Sequence, residues 1–474
     1  PRPARPPRPI LPPPPPRHLE FHPMSITFAV RRGRARLVAG LALLALGLSL
    51  VVTSPASAQG TTIRVPQDHA TVQAAVDAAG AGDLILVDEG IYHEEVFIAP
   101  EHPGDITIRG VDRDEVVFDG QFELGTAIEA QADNVVMENM SARNYSGNGF
   151  YWQSVDGFRG SYLTAYRIGV YAIFSFDAVN GVFEHSYASG SADAAWYVGQ
   201  CHPCDITMRN VVGEYSALGY SGTNAGGNLV IEDSVFQNNG TGLVPNSLTT
   251  EADPPQRELI IRNNVIKDNS NLDTPAKGLT ATIVGVGVGI AGGNDNVVEG
   301  NTITGHSKYG VAIFPLPEGA PDGPVWVPSG NAVVENVLDG NEGADLTLVA
   351  GSGENNCFGG NTSPDGGSVT TDPPQLQDAW SCELPGTAPG GSPQSAAILA
   401  ADYLQYGELD QRPQTSYEQM PDAPPQEEMP SQQQSEPDPA PEEQQSSLPA
   451  TGGGALLSLL GLGLAVSGLR LRRR

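Results

Sequence analysis

Two cysteines that flank a histidine and a proline have the types and spacing for chemistry. The stretch C-H-P-C places Cys201 and Cys204 three residues apart, with His202 between them. Such a pair can hold zinc, exchange electrons or close a small disulfide-bonded turn. A structural zinc site needs four ligands, and only His202 stands beside the two thiols. A redox motif expects an alternating βαβ pattern, which this region lacks. The stretch therefore favours a disulfide, and no metal site is predicted.

Aromatic side chains recur at one position of several short apolar segments. When the segments that follow a glycine are aligned, an outward position of successive repeats holds Tyr151, Tyr171 and Trp196, with Tyr197 and Tyr220 close by. An exposed row of aromatic rings can hold sugars against their C–H faces. The same row could instead be a ladder that stabilises a sheet or packs under a loop. The sequence thus predicts a glycan-binding surface with a structural alternative.

The charge of the chain limits its partners. Among 474 residues, 55 are acidic and 25 are basic, which gives a net charge of −30. Nucleic acid is not a predicted partner, because its binding normally requires a basic patch. Polyanionic glycans are disfavoured unless a divalent cation such as Ca²⁺ bridges them, and no motif supports such a cation. No cofactor is predicted, and His185 and His306 are expected to be solvated turn residues.

One short phrase recurs along the chain and indicates the fold. It reads N-V-V-M-E-N-M at 134–140 and returns in related form at 228–236, 259–266, 296–303 and 331–338. Short strands separated by tight turns, in coils of roughly 20–25 residues stacked about 4.8 Å apart, are typical of a β-solenoid. Residues 83 to about 360 resemble the pectate-lyase-like and NosD-like families of right-handed parallel β-helix proteins. The resemblance implies an all-β solenoid.

Aligned coils also show alternating charge before the turn. Like charges stacked one coil apart would repel, so alternation predicts a ladder of opposed neighbours. The residues of the predicted ladder are Arg109, Glu138, Arg159, Glu184, Arg209, Glu232, Arg262 and Glu299.

The ends and insertions of the solenoid can also be located. Thr71 is a suitable cap for a short amphipathic helix that ends at Gly80 and covers the first coil. Long coil spacings place insertions at about 245–258, 272–293 and 315–330. Insertions often carry function in solenoids, so we expect these three to wall one side of a groove.

The N-terminal region has the features of an export signal. From residue 24, arginines precede a Leu/Ala/Val run and an A-x-A site, which predicts a signal peptide over 24–58 cleaved after Ala58. Residues 1–23 are a Pro-rich extension that we exclude from the fold. In a secreted chain cysteines are oxidised by default. Four cysteines allow three pairings, and proximity favours Cys201–Cys204 and Cys357–Cys382.

The C-terminal region resembles the LPxTG sorting signal of Gram-positive surface proteins, followed by an apolar segment at 455–469 and a basic tail. The resemblance implies that a sortase attacks Thr451 and joins it covalently to peptidoglycan, so that 455–469 meets the membrane only transiently. A plain membrane anchor is the alternative. The residues expected to be recognised are Leu448, Pro449, Ala450, Thr451 and Gly452.

The domain plan and function follow from these features. Residues 59–384 are predicted to form the β-helix, 385–447 a disordered wall-spanning linker rich in Pro, Gln and Glu, and 448–474 the sorting signal. The predicted function is that of a secreted, wall-attached monomer that presents a carbohydrate- or matrix-binding surface. The resemblance implies an alternative, a surface-displayed polysaccharide lyase or glycoside hydrolase. The family motifs N-T-D, G-H-G, Q-D-T-L and D-P-H-D are missing, so no catalytic residue is predicted. A structural stalk or an adhesin for a protein partner is a further alternative.

Overall fold

The structure is a right-handed parallel β-helix with very few helical residues. The computed structural model describes residues 60–318, 323–383, 391–406 and 415–430. Within them, twenty strands form sheet A, eleven form sheet B, and each strand pairs in parallel with its equivalents in the neighbouring coils. The all-β solenoid predicted from the repeated phrase is confirmed.

The strands of sheet A are Thr62–Val65, Leu84–Val87, Gly90–Tyr92, Thr107–Gly110, Val116–Asp119, Val135–Tyr145, Asp156–Ile168, Val179–Glu184, Tyr187–Ser191, Ile206–Arg209, Val212–Glu214, Leu229–Glu232, Val235–Gln237, Leu259–Arg262, Val265–Lys267, Val297–Glu299, Thr302–Thr304, Ala332–Val334, Val337–Asp339 and Cys357–Gly359. The strands of sheet B are Val96–Ile98, Thr126–Ala130, Asn148–Gln153, Tyr171–Phe176, Ala194–Gly199, Leu218–Thr223, Thr241–Asn246, Val286–Ala291, Tyr309–Phe314, Ala344–Leu348 and Thr371–Asp372. A two-stranded antiparallel ribbon joins Leu316–Pro317 to Val325–Trp326. The helices are α1 (Val72–Ala78), α2 (Leu376–Ala379) and α3 (Pro393–Tyr406), with 3₁₀ turns at Gly278–Thr282 and Tyr417–Gln419.

Most coils pass from one strand of sheet B to two strands of sheet A that meet at a bend. The bend is a single residue in the left-handed region, such as Asn139 (φ 58°), Asn210 (φ 52°) or Asn263 (φ 56°). Asparagine tolerates this conformation better than most residues, which explains its recurrence in the repeated phrase. We call the sheet A strands that follow the bend the downstream strands.

Buried asparagines form a stack next to the bends. Asn301 is fully buried, and its amide nitrogen donates to the Ile261 carbonyl and to Asn336 Oδ1, both at 2.9 Å. Its Oδ1 accepts hydrogen bonds from the backbone and side-chain nitrogens of Asn264, at 2.9 and 3.0 Å. Each asparagine thereby satisfies polar groups of the coil before it, as buried polar groups require.

A second stack contains a histidine and corrects one prediction. His306 is fully buried, its Nδ1 lies 2.7 Å from Asn341 Oδ1, and its Nε2 lies 3.2 Å from the side-chain nitrogen of Asn269. Burial lowers the pKa of His306 to about 4, so the ring is neutral at pH 7. The expectation of a solvated turn residue is wrong here because His306 replaces an asparagine in the stack.

The charge ladder is present, but the prediction assigned one residue, Arg159, to the wrong register. Glu184 pairs in register with Arg209, Arg209 with Glu232, and Glu232 with Arg262. In one coil, however, Ser161 occupies the predicted place of Arg159, because the left-handed bend of that coil falls at Tyr162. Arg159 still reaches diagonally to Glu184, with an Nη2–Oε1 distance of 2.7 Å.

The predicted cap and disulfides are confirmed. Thr71 is the N-cap of α1, and its hydroxyl accepts a hydrogen bond from the Ala74 amide at 3.1 Å. Both disulfides predicted by proximity are present, Cys201–Cys204 and Cys357–Cys382.

The predicted boundary at residue 384 is wrong for part of the C-terminal region. Helix α3 packs Ile398 and Leu399 against a buried cluster on sheet B, and residues 415–430 lie against sheet A. Their apolar and main-chain contacts outweigh the disorder that composition alone predicts. The predicted signal peptide, the predicted sorting residues 448–452 and the apolar segment 455–469 lie outside the described residues. Inside the described ranges, no helix has the length and apolar character needed to cross a membrane.

Candidate functional site

The predicted aromatic row is rearranged in the structure. Trp196 and Tyr220 are fully buried in the core, where Trp196 pairs in register with Ile173 and Tyr220. The predicted outward position of Trp196 is wrong, because the alignment on glycine placed it one residue out of phase with the pleat. Tyr220, predicted to lie close to the row, is in the core as well. Tyr171 begins its strand and pairs with Ala194.

The residues that occupy the outer face of sheet B are Tyr151, Phe174 and Tyr197. They pair in register, and the rings of Tyr151 and Phe174 stack at 4.3 Å between centroids. Tyr171 leans over them, 4.7 Å from Phe174 and 4.6 Å from Tyr197. Only 9% of Tyr151 and 2% of Tyr197 are exposed, so the rings cover one another rather than forming an open platform. Sugar binding by the predicted residues Tyr151, Tyr171 and Tyr197 stays a prediction.

Two carboxyl groups stand beside this aromatic cluster, and sequence reasoning missed both. Asp193 precedes the strand Ala194–Gly199 and lies beside Tyr171, whose hydroxyl group lowers the pKa of the Asp193 carboxyl group. Glu251 lies in the first insertion, where its Oε2 accepts hydrogen bonds from Tyr197 at 3.0 Å and from Gln200 at 3.2 Å. No short motif joins residues 58 positions apart, and only the parallel stacking of coils brings them together.

The loop that carries Glu251 is held in place by a buried asparagine. The side-chain nitrogen of Asn224, itself fully buried, donates to the carbonyl groups of Leu248, Glu251 and Ala252, at 2.7, 3.2 and 3.0 Å. Gln200 adds a second anchor, because its Oε1 accepts a hydrogen bond from the Ala252 amide at 3.1 Å. The carboxyl group of Glu251 therefore has a defined position above sheet B.

The surroundings raise the pKa of both carboxyl groups. Burial is the main cause for Asp193, and the negative charge of Glu251 adds to it, whereas Lys277 and the Tyr171 hydrogen bond oppose it. The resulting pKa of Asp193 is about 7. Burial also raises the pKa of Glu251, against the hydrogen bonds from Tyr197 and Gln200. The pKa values of Tyr171 and Tyr197 are raised by burial, so both hydroxyl groups stay protonated and can donate.

The three predicted insertions meet around this side of the solenoid. Glu318 of the third insertion accepts hydrogen bonds from the amide and hydroxyl of Thr249 in the first, at 2.8 and 2.7 Å, and from Trp326 at 3.0 Å. Thr280 of the second insertion donates to the Ala192 carbonyl at 3.4 Å, beside Asp193. The described residues hold no group of three or more His, Cys, Asp or Glu side chains suited to a metal ion. The arrangement is suited to acid–base chemistry by two carboxyl groups.

Comparison with known proteins supports the fold. Residues 148–363 match the family described as right handed beta helix region. The A-module of mannuronan C-5 epimerase AlgE4 from Azotobacter vinelandii is similar in structure, with 16% identity, 62% of this chain and 90% of that chain covered, and a TM-score of 0.45.

Two further solved structures are similar. An alginate lyase from Paenibacillus sp. str. FPU-7 has 16% identity, covers 59% of this chain and 97% of that chain, and gives a TM-score of 0.42. The DFA-IIIase of Arthrobacter chlorophenolicus A6 without its lid has 11% identity, 66% and 98% coverage, and a TM-score of 0.45. At these identities the similarity concerns the fold alone. No curated protein sequence matches the chain.

Proposed function

We propose that this protein cleaves glycosidic bonds in a carbohydrate chain, with Asp193 and Glu251 as the acid–base pair. The observation that supports this most is their pairing with two tyrosines, Tyr171 and Tyr197, whose ring centroids lie 4.6 Å apart on the outer face of sheet B. Enzymes that break glycosidic bonds use two carboxyl groups, one of which holds a proton while the other is ionised.

The surroundings of the two carboxyl groups suit Asp193 to the role of acid and Glu251 to the role of base. Asp193 holds its proton near neutral pH and can deliver it to the oxygen of the departing sugar. Glu251 sits on a loop and accepts two hydrogen bonds that favour its ionised form, which suits a base that activates water. The cluster of Tyr151, Phe174 and Tyr171 borders the pair, and Tyr171, its half-buried member, can contact the sugar.

The test is cleavage of a panel of neutral and acidic polysaccharides and their oligosaccharides by the purified full chain. New reducing ends and unsaturated products are measured on the same samples, because hydrolysis yields only the former and lyase chemistry yields both. We expect Asp193→Asn and Glu251→Gln each to lower the rate by 10²-fold or more. Asp273→Asn, an exposed aspartate of the second insertion, is the matched control and keeps full activity. Cleavage that both carboxyl variants retain would contradict the assignment.

A binding surface is the second candidate, and the same aromatic cluster favours it. Retention of a polysaccharide without cleavage, lost in Tyr171→Ala and kept in Asp193→Asn, would establish binding in place of catalysis. The predicted platform of five aromatic residues has lost Trp196 and Tyr220 to the core, which is why we place catalysis first.

We also propose that the protein acts outside the cell, attached to peptidoglycan through Thr451. The support is the order of elements in the sequence, with a signal-peptide pattern at one end and a sorting motif, apolar segment and basic tail at the other. In a sortase-bearing Gram-positive host, muramidase digestion should release the chain linked at Thr451 to a wall fragment. Wall attachment that survives Leu448→Ala with Pro449→Ala would contradict sorting.

A further inference from the structure

Residues 415–430, which we call the strap, return along the β-helix after helix α3. They lie on sheet A in the N-terminal half of the solenoid, on a different face from the carboxyl pair of sheet B. Their sequence is S-Y-E-Q-M-P-D-A-P-P-Q-E-E-M-P from Ser416, which is acidic and rich in proline. After the 3₁₀ turn Tyr417–Gln419, such a composition favours extended backbone, whose polar groups are satisfied by the surface beneath it.

One end of the strap is anchored by Met420. This residue is 6% exposed. Gly190 lies beneath it and provides the space it needs, because a Cβ atom on residue 190 would lie 2.7 Å from Met420 Cβ. Arg167 holds the same end with two contacts, from Nε to the Met420 carbonyl at 2.6 Å and from Nη2 to Asp422 at 3.1 Å.

The other end of the strap is held through its main chain. Arg113 Nη1 donates to the Glu427 carbonyl at 3.0 Å. The amide of Met429 donates to Asn139 Oδ1 at 2.9 Å, and the amide of Gln426 donates to Asp114, also at 2.9 Å. Two carbonyl groups and two amides of the strap are thus recognised, which is how proteins bind extended peptides.

Arg113 is prepared for this contact by the β-helix itself. It is only 3% exposed and also donates to the Leu163 carbonyl, to Thr164 Oγ1 at 2.9 Å and to the His185 carbonyl at 3.0 Å. These partners lie in two neighbouring coils and fix the guanidinium group with one edge toward Glu427. The position of Arg113 is therefore fixed by residues of the β-helix and not by the strap.

The outer positions of the downstream strands are buried along the strap and exposed beyond it. Ser141, Thr164 and Tyr187 occupy one outward row in register and are 4%, 1% and 5% exposed. Further along the same row Val265 is 37% exposed. The row changes from side chains that carry a hydroxyl group to valine where the strap ends.

We infer that this face is a binding site for an extended, proline-rich peptide with a carboxylate at the position of Asp422, and that the strap occupies this site within the same chain. The connection through 407–414 is short, so the local concentration of the strap is in the millimolar range and a modest affinity fills the site. The described part of the strap therefore ends beside Asn139, in the N-terminal half of the β-helix.

The test cuts the chain between helix α3 and the strap, so that the strap can dissociate from the β-helix after the full chain has been purified. A specific protease site is placed within 407–414 of the full chain, the purified protein is cut, and a fluorescent peptide of residues 415–430 is added. We expect saturable binding of the peptide as it exchanges with the cut strap. A peptide with Met420→Ala should bind at least 10-fold more weakly, and this change leaves the β-helix untouched.

Variants of the β-helix complete the test. Arg167→Ala should weaken peptide binding at least 10-fold, because it removes two charge-assisted bonds. Arg262→Ala, which breaks an ion pair with Glu232 outside the strap, is the matched control and should not change it. Absence of saturable binding, equal binding of a scrambled peptide, or unfolding of the β-helix once the strap is cut would each overturn the inference.

Discussion

Replacing Asp193 by asparagine should stabilise the protein, and more so at alkaline than at acidic pH. The native structure holds this carboxyl near an aromatic cluster and Glu251, with a pKa of about 7 against an ordinary value of 3.8. The folded protein therefore keeps the proton up to about pH 7, while the unfolded chain loses it near pH 4. Asparagine has a similar shape and no charge, so it removes this difference.

The sign and size follow from proton linkage. A pKa raised on folding contributes stability that is fully present below the unfolded value and is lost as the pH rises to the folded value. Each unit of pKa difference corresponds to about 1.36 kcal/mol, so the free energy of unfolding falls by at most about 4 kcal/mol between pH 4 and pH 7. The carboxyl is partly exposed, which lowers the expected loss toward about 2 kcal/mol.

Urea unfolding of the wild type, Asp193→Asn and Asp273→Asn from pH 4.5 to 8.5 measures this. The difference in free energy of unfolding between Asp193→Asn and the wild type should increase by about 2–4 kcal/mol in favour of the variant as the pH rises across this range. Asp273→Asn should follow the wild type. Parallel profiles for the wild type and Asp193→Asn, within about 0.5 kcal/mol, would refute the raised pKa and remove the acid from the proposed mechanism.

Three further results are expected. Tyr171→Phe removes a hydrogen bond that favours ionised Asp193, so the alkaline limb of the cleavage profile should move to higher pH, and an unchanged limb would argue against this contact. Asn301→Ala removes four buried hydrogen bonds and should cost about 3 kcal/mol or more in urea unfolding, whereas a cost under about 1 kcal/mol would contradict the asparagine stack. Replacing Cys357 and Cys382 by serine opens a loop with a sequence separation of 25 and should lower the free energy of unfolding by about 3 kcal/mol relative to the oxidised wild type, whereas a loss under about 1 kcal/mol would contradict stabilisation by this disulfide.

The candidate site shows how a solenoid brings together functional groups from different coils. Asp193 comes from a turn of one coil and Glu251 from an insertion two coils later, and each is oriented by a tyrosine of sheet B. A substrate on this face would meet loops from the three insertions. The strap uses another face of the same coils, so the two sites can be tested independently.

The repeated phrase was sufficient to predict the coils, helix-capping preferences predicted the Thr71 cap, and proximity in the sequence predicted both disulfides. These features depend on short-range periodicity and on residues that tolerate left-handed bends, and such information is local. Register within a coil was less secure. The predicted ladder placed the bend of one coil just after Arg159, whereas the chain makes it at Tyr162. The alignment of Trp196 was wrong by one residue, and a shift of one residue reverses the face because the side-chain period of a strand is two.

What only the tertiary structure decided is which distant residues meet. Asp193 and Glu251 carry no motif, and their raised pKa values arise from burial between coils, which no sequence spacing encodes. The composition of residues 415–430 predicts disorder, and their order comes from Arg113, Arg167 and Gly190 on the surface they cover. Local sequence determined the solenoid because each coil repeats the same local interactions, whereas the sites depend on contacts between residues far apart in the chain.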